Sequence, residues 1–410
     1  MPDQDYPALV LEKGRDRAVR ARHHWIFSGA ARRIPDCEDG SIVAVRSAAG
    51  ELLGHGVINR RCSILARMIS FDAADPLASL EGSFRKAAEL RRRLLGDATD
   101  AYRVVNAEAD GIPGLIVDRY GDVCVVQIAV LGLEKLKEHV LSLIEELCAP
   151  RAVYERSDSP ARAEEGLEPF EGWVAGHEVP EAVIHERGRR YVVQFARSQK
   201  TGFYLDQRAN RDRVQSLAQG RRLLDAFSYT GGFAVAGLRG GARNVDLVDS
   251  SEAALETARR NVELNGFGSG AGGSGPGGAE AQGPGTRPEA RFHAADAVDF
   301  LRDNPLRFDF VVLDPPAFAK KKQHVAAAAR AYEGINRAVL AKLPPGSLLL
   351  TCSCSYHVDA ALFQKIIFTA ALKAGRNVSI VGRHVQAVDH PVNVYHPETD
   401  YLKSLLLYVG

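Results

Sequence analysis

Leu223-Leu224-Asp225-Ala226-Phe227-Ser228-Tyr229-Thr230-Gly231-Gly232-Phe233 reads as an apolar strand that runs into a tight turn and then opens a helix. Paired glycines let the backbone approach a bound group closely, and the N-terminus of the helix offers free N–H groups to a carboxylate. The spacing is not that of the Gly-x-Gly-x-x-Gly dinucleotide fingerprint. Around this stretch, strand-like and helical segments alternate. Leu223–Phe227, Asn244–Val248, Ala290–Ala294, Phe308–Leu313 and Leu348–Ser353 are strand candidates, and Ser251–Asn265 and Asp359–Ala374 are helical. Such alternation predicts a largely parallel, doubly wound α/β sheet whose ligands lie at the carboxyl ends of the strands.

Acids stand at those ends. Asp249 closes the second strand, where a carboxylate can take both hydroxyls of a ribose, and Asp296 follows the third, in reach of an adenine amino group. An aspartate after a strand often does no more than cap the next helix. In register with the glycine turn and a terminal Asp314-Pro315-Pro316, however, these acids form the arrangement of a class I (Rossmann-like) S-adenosylmethionine methyltransferase. The expected cofactor site comprises Phe227, Ser228, Tyr229, Thr230, Gly231 and Gly232 in the turn, Asp249 with Ser250, Asp296 with Ala297, and Asp314.

The next strand, Leu348-Leu349-Leu350-Thr351-Cys352-Ser353-Cys354-Ser355, brings a thiol toward the Asp-Pro-Pro turn. An acid and a thiol side by side are what methylation of a pyrimidine ring carbon requires, because the ring must first be activated by a nucleophile. A free thiol has a pKa of about 8.5, so the site must favour thiolate. A helix N-terminus after Ser355 is one expected source of that bias. Cys352 and Cys354 compete for the role. Cys354 is nearer the carboxyl end of the strand and is the expected nucleophile, with Asp314 beside it to bond the N3 and N4 edge of the base; Cys352 is expected to be a buried, inert thiol.

The remainder of the chain reads as two further segments. Within residues 1–70, Ala8–Leu11, Ser41–Val45, Leu52–Ile58 and Ser63–Ile69 are short strands between Gly, Asp and Pro breaks, the pattern of a small β-barrel. Lys13, Arg15, Arg17, Arg20, Arg22, Arg32 and Arg33 stand against Asp16 alone, so the segment from 13 to 33 carries +6 in a chain whose net charge is +1. Lys13, Arg15, Arg17 and Arg22 with Trp25 suit phosphate contact and base stacking, although Trp25 and Phe27 suit a barrel core equally well. Residues 71–190 read as an α+β unit. It has a helix over Leu77–Leu95 whose surface is basic (Arg85, Lys86, Arg91, Arg92, Arg93), strands at Gly114–Val117 and Val123–Ala129, and a helix through Leu136–Leu147. The α/β segment, 191–410, is interrupted from Gly268 to Pro288, where twelve of 21 residues are Gly or Pro; such a stretch is expected to be a flexible insertion. Lys320 and Lys321, after the Asp-Pro-Pro turn, are further candidates for RNA phosphate.

Composition narrows the classes. The chain is 46% hydrophobic and 25% charged, as ordinary globular proteins are. Its longest apolar stretch, Val123–Leu133, is too short to span a bilayer. Six cysteines without Cys-x-x-Cys or zinc-type spacing argue against a metal and for a reducing cytoplasm.

Taken together the motifs resemble a known family, the bacterial large-subunit ribosomal RNA cytosine-C5 methyltransferases of the RlmI type. The likeness runs nearly end to end. It is carried by Lys13-Gly14-Arg15, Trp25-Ile26-Phe27-Ser28-Gly29, Asp110-Gly111-Ile112-Pro113-Gly114, Arg156-Ser157-Asp158, Lys200-Thr201-Gly202-Phe203-Tyr204-Leu205-Asp206-Gln207-Arg208, the glycine turn, Asp314-Pro315-Pro316, Ser353-Cys354-Ser355 and Leu362-Phe363-Gln364-Lys365-Ile366-Ile367. The resemblance implies an N-terminal PUA-like barrel, ribosomal RNA as partner, and a segment through Tyr204, Asp206, Gln207 and Arg208 that folds over the cofactor. It leaves homodimerisation open. Its spacing to Leu362-Phe363-Gln364 also favours Cys354. The glycine-rich insertion departs from the family pattern, as do Ala317 and Tyr356, where Lys and Gly would be expected. Two other readings remain: a base-nitrogen methyltransferase of the N7-guanine kind, which needs no thiol, and a non-catalytic RNA-binding assembly factor.

Overall fold

The structure, a computed structural model, describes residues 6–196, 200–267, 288–305, 307–319 and 322–410. The predicted insertion, apart from Pro288, and both Lys320 and Lys321 lie outside the described residues. The chain divides into two compact units: the first is 1–185 with 193–205 and 388–399, the second 186–192 with 206–387 and 400–410.

The first unit holds two sheets, each with its own core. The N-terminal one has six strands, in the order Trp25–Phe27, Ile64–Ser70, Leu52–Ile58, Ile42–Arg46, Ala8–Leu11 and Ala31–Arg33. Its core is built on Leu9, Leu11, Ile26, Val43, Val45, Leu65 and Met68. Gly54 is obligatory there: its φ is +132°, and a Cβ would fall 2.2 Å from the Ser70 carbonyl oxygen of the neighbouring strand. The second sheet has five strands, ordered Phe170–Gly176, Ala152–Ser157, Val123–Ile128, Leu115–Tyr120 and Ala101–Asn106.

The helix expected at 77–95 spans Pro76–Leu95. Asp75 caps it by accepting the N–H groups of Leu77 and Ala78, with Pro76 in the first turn. Leu80, Phe84, Ala87, Arg91 and Leu95 are its buried stripe. The prediction that Arg91 belongs to a basic surface is therefore corrected. Helical periodicity carries that position inward, and Asp110 meets its guanidinium with two hydrogen bonds of 2.6 and 2.7 Å.

The second unit is a seven-stranded sheet. Numbered by appearance, its strands are Arg222–Ala226, Asn244–Asp249, Glu289–Ala294, Phe310–Leu313, Ser347–Ser353, Val378–His384 and Lys403–Val409; in space they run third, second, first, fourth, fifth, seventh, sixth. The first five pair in parallel, and Lys403–Val409 lies antiparallel between Ser347–Ser353 and Val378–His384. The order reverses between the first and fourth strands. Their carboxyl ends, Ala226 and Leu313, therefore open the crevice where an open α/β sheet binds ligands. The last two strands were not foreseen.

One buried charge cluster fixes the entry to this sheet. Glu186, 1% exposed, bonds Arg211 through both carboxylate oxygens and lies 3.0 Å from Arg189 and 3.3 Å from Arg208. The guanidiniums outweigh the cost of burial and hold its carboxyl at about 2. Glu186→Gln would leave these guanidiniums buried without their shared anion and is expected to cost about 3–5 kcal/mol in urea unfolding.

Candidate active site

The quoted stretch folds as read. After Ala226 the chain turns sharply, and Phe227 (φ 66°), Tyr229 (φ 47°) and Gly231 (φ 76°) all take left-handed conformations. A side chain on Gly231 would also press within 3.0 Å of Leu247 and 3.1 Å of Ala258. Asp249 locks the turn: one carboxylate oxygen accepts the Tyr229 N–H at 2.8 Å and the other the Ser251 N–H at 2.9 Å. The helix Gly232–Arg239 then starts at the crevice.

Polar atoms left without partners gather in this turn. Asp225 is fully buried; one of its oxygens accepts the Ala234 N–H at 3.0 Å, while the other, like the hydroxyls of Ser228 and Thr230, has no partner among the described residues. Buried polar groups are seldom left unpaired in a finished site, so this set fits the expected cofactor, whose amino, carboxylate and sulfonium groups can satisfy them. Charge agrees. Burial pushes the Asp225 carboxyl up to about 8, and the anionic Asp314 and Asp249 add to that rise. Asp225 is therefore mainly protonated at neutral pH, and the Asp249 and Asp314 carboxylates at the neighbouring strand ends are what favours a cationic ligand there.

The other expected cofactor residues fall into two groups. Asp296 is exposed and caps the helix Ala297–Asp303, accepting the Val298 and Asp299 N–H groups at 2.8 and 3.0 Å through one oxygen, which leaves the second for a ligand. Ala297 packs into the core, whereas Ser250 is exposed. Asp206 lies one residue before the cap of the helix Arg208–Leu217; it accepts the Tyr401 hydroxyl at 2.8 Å, and its carbonyl accepts the Ala387 N–H. Gln207 accepts from Asn210 at 2.6 Å, and Arg208 faces Glu186. In the first unit, Tyr204 is half-buried, with the Lys200 ammonium 4.2 Å over its ring.

The thiols differ in setting. Cys352 is fully buried beside Asn210 and Ser404, and burial with the charge of Asp314 raises its pKa well above the ordinary value. Cys354 is half-buried just past the strand, its Sγ 4.0 Å from the Pro315 carbonyl oxygen of the Asp-Pro-Pro turn. Ser355 ties the two loops together, its hydroxyl accepting the Ala319 N–H at 3.2 Å and lying 3.0 Å from the Tyr332 hydroxyl. The expected helix N-terminus after Ser355 is not adjacent, because the next helix begins at Ala360 with Asp359 as its cap. Sequence reasoning also missed Lys403, a buried lysine on the unforeseen last strand, and gave Asp225 no role. An acid inside an apolar strand was the available signal for Asp225.

Of the basic candidates in the first unit, Lys13, Arg15, Arg17 and Arg22 are exposed, and none makes an ion pair among the described residues. Trp25 is half-buried, donates to Glu108 at 2.9 Å and meets the His396 ring edge-on; Phe27 is 51% exposed. Arg15, Val19, Trp25 and Phe27 line a cleft of about 300 Å³.

The raised Asp225 pKa carries a sign. In the unfolded chain this acid ionises near pH 4, in the fold near 8, so the stability its bound proton gives is lost as pH rises toward 8. The unfolding free energy of the cofactor-free protein should fall over that range, and Asp225→Asn should flatten the fall in urea titrations at stepped pH.

Comparison with known proteins agrees with this geometry. Residues 9–71 match the family model of a PUA-like domain, and residues 166–275 that of an S-adenosylmethionine-dependent methyltransferase. Ribosomal RNA large subunit methyltransferase I of Aliivibrio fischeri is 39% identical over 405 residues, covering 97% of this chain and 98% of its relative. The enzyme of that name from Klebsiella pneumoniae is 38% identical over 413 residues, covering 98% of each. Among solved structures, a proposed S-adenosylmethionine-dependent methyltransferase from Streptococcus mutans superposes with a TM-score of 0.79 at 20% identity, covering 98% of this chain and 99% of the other. A proposed methyltransferase solved in complex with SAH gives the same TM-score at 21% identity and the same coverage. The order of the sheet, the glycine turn with its acids and this near full-length identity lead to one conclusion: the chain belongs to the ribosomal RNA large subunit methyltransferase I family of S-adenosylmethionine-dependent enzymes.

Proposed function

We propose that the protein methylates C5 of a cytosine in large-subunit ribosomal RNA, in the cytoplasm, through a transient bond between Cys354 and C6. The observation that carries this reading is the half-buried Cys354 sulfur 4.0 Å from the carbonyl of Pro315, which sets a thiol against the Asp314 turn at adjacent parallel strands. Base-nitrogen chemistry has no use for that sulfur.

The turn Phe227–Gly232 with Asp225, Asp249 and Asp296 would hold the cofactor, which when bound would supply an electrophilic methyl on a sulfonium. Cys354 as thiolate adds to C6, and the ring's electron density moves toward C5 and into N3 and O2. Asp314, at the N3 and N4 edge, holds the cytosine in place for this step. C5 takes the methyl, the C5 proton leaves to a base, and the Cys354–C6 bond breaks to restore the aromatic ring. The target base must be unstacked to enter. Arg15 in the Trp25 cleft and the exposed Lys13, Arg17 and Arg22 support RNA as the partner, since cations that make no ion pair among the described residues remain available to phosphate.

Cys354→Ala is expected to abolish 5-methylcytidine formation on unmodified ribosomal RNA, read by nucleoside mass spectrometry, whereas Cys352→Ala retains it. Methylation undiminished in the Cys354 variant, or a product carrying the methyl on guanine N7, refutes the assignment.

A further inference from the structure

Lys403 is the first residue of the last strand and is 7% exposed. In the antiparallel pairing it stands opposite Ser353, and its ammonium donates at 2.8 Å to the carbonyl of Ser355, the residue after Cys354. A second bond goes to the Tyr401 carbonyl at 2.7 Å. Its strand position and its bond to Ser355 thus place Lys403 against the segment Ser353–Ser355 that carries Cys354.

An ammonium has three N–H donors. Two are taken by carbonyls, and among the described residues no carboxylate comes within ion-pair reach of Lys403. A buried cation without a paired anion is costly unless something nearby is anionic when the site is at work. The anionic groups whose charges reach it are Asp400, Cys354 and Asp359, with Asp400 the strongest. Asp359 is already engaged in capping its own helix. On the Cys354 side stand Asp314, whose turn adjoins the sulfur through Pro315 and whose negative charge opposes a thiolate, and Cys352 and Tyr332, both protonated at neutral pH because burial raises them. The helix after Ser355 begins only at Ala360, with Asp359 as its cap, so its N-terminus is not the residue next to Cys354.

We propose that Lys403 is the positioning residue of the reaction, its ammonium holding the Cys354 sulfur as thiolate while its bonds to the Ser355 and Tyr401 carbonyls fix the loop. This rests on the reading of Cys354 as nucleophile. It assigns Lys403 no contact with the base: the lysine acts through the sulfur, as a fixed charge. Burial also draws the lysine's own pKa down, but two carbonyl acceptors and the three acids around it work to keep the proton in place.

The test needs no RNA. The full-length protein is alkylated with iodoacetamide across a pH series, and the modification of Cys354 is followed by peptide mass spectrometry. In the native protein the half-maximal rate should fall below the pH of about 8.5 of a free thiol. Lys403→Gln keeps a donor for the Ser355 carbonyl but removes the charge. It should slow Cys354 alkylation about tenfold at pH 7, a midpoint shift of about one unit, with the alkaline plateau unchanged. Lys403→Arg should restore the midpoint. Lys403→Met, which removes donor and charge together, should shift it at least as far as Lys403→Gln; should Lys403→Met not fold, the Gln and Arg variants decide the matter. An unchanged midpoint in Lys403→Gln overturns the proposal and leaves Lys403 a purely structural anchor. The parent reading fails separately, when Cys354→Ala still forms 5-methylcytidine.

Discussion

Phe227 and Tyr229 hold left-handed backbone conformations that L-residues with bulky side chains avoid, and everything at the site depends on their being kept there. Such conformations cost on the order of 1–3 kcal/mol each and persist only where the surroundings determine them. Here the restraint is Asp249, whose two oxygens take the N–H groups of Tyr229 and Ser251, together with the Ser228 N–H bond to Val248. The folded turn exposes the start of the helix Gly232–Arg239 and gathers the unpaired atoms of Asp225, Ser228 and Thr230. The second strand thus shapes the turn of the first, and the ribose acid read from the sequence is also the clamp of the loop.

Charge divides the strand-end crevice into two regions. Burial, with the charges of Asp314 and Asp249 added to it, pushes Asp225 up to about 8, and those two carboxylates favour a cation. One strand further on, past the Asp-Pro-Pro turn, Lys403 is the buried cation beside the half-buried thiol. In the proposed reaction, acids beside the methyl donor and a lysine beside the thiol supply the polarity that methyl transfer and sulfur addition need. Ser355, bonded to Tyr332 and the Ala319 N–H, keeps these two loops in register.

The alternation of strands and helices was legible because parallel strands buried on both faces appear as continuous apolar runs: Leu223–Phe227 and Leu348–Ser353 needed no partner to be recognised. The glycine turn was legible for a similarly local reason, as Gly231 marks its own positive φ. Less visible was Val378–His384, which alternates between half-buried and exposed residues and pairs only with the last strand. Arg91 was misread because composition marks an arginine as surface, while the helical stripe and Asp110 carry it inside. The aspartates behaved individually: Asp296 caps a helix, Asp206 serves Tyr401, and Asp249 clamps a turn.

The sequence by itself determined the class of fold, the strand-end positions of the acids and the two cysteines to choose between, since these follow from periodicity and from residues adjacent in the chain. The settings of the two cysteines come from tertiary structure. Cys352 lies within the sheet, paired opposite Ser404, and Cys354 lies just beyond it. Tertiary structure also decided which charge faces the thiol. Lys403 is far from Cys354 along the chain and becomes its neighbour only because an antiparallel strand returns beside Ser347–Ser353, a long-range pairing that no local pattern encodes.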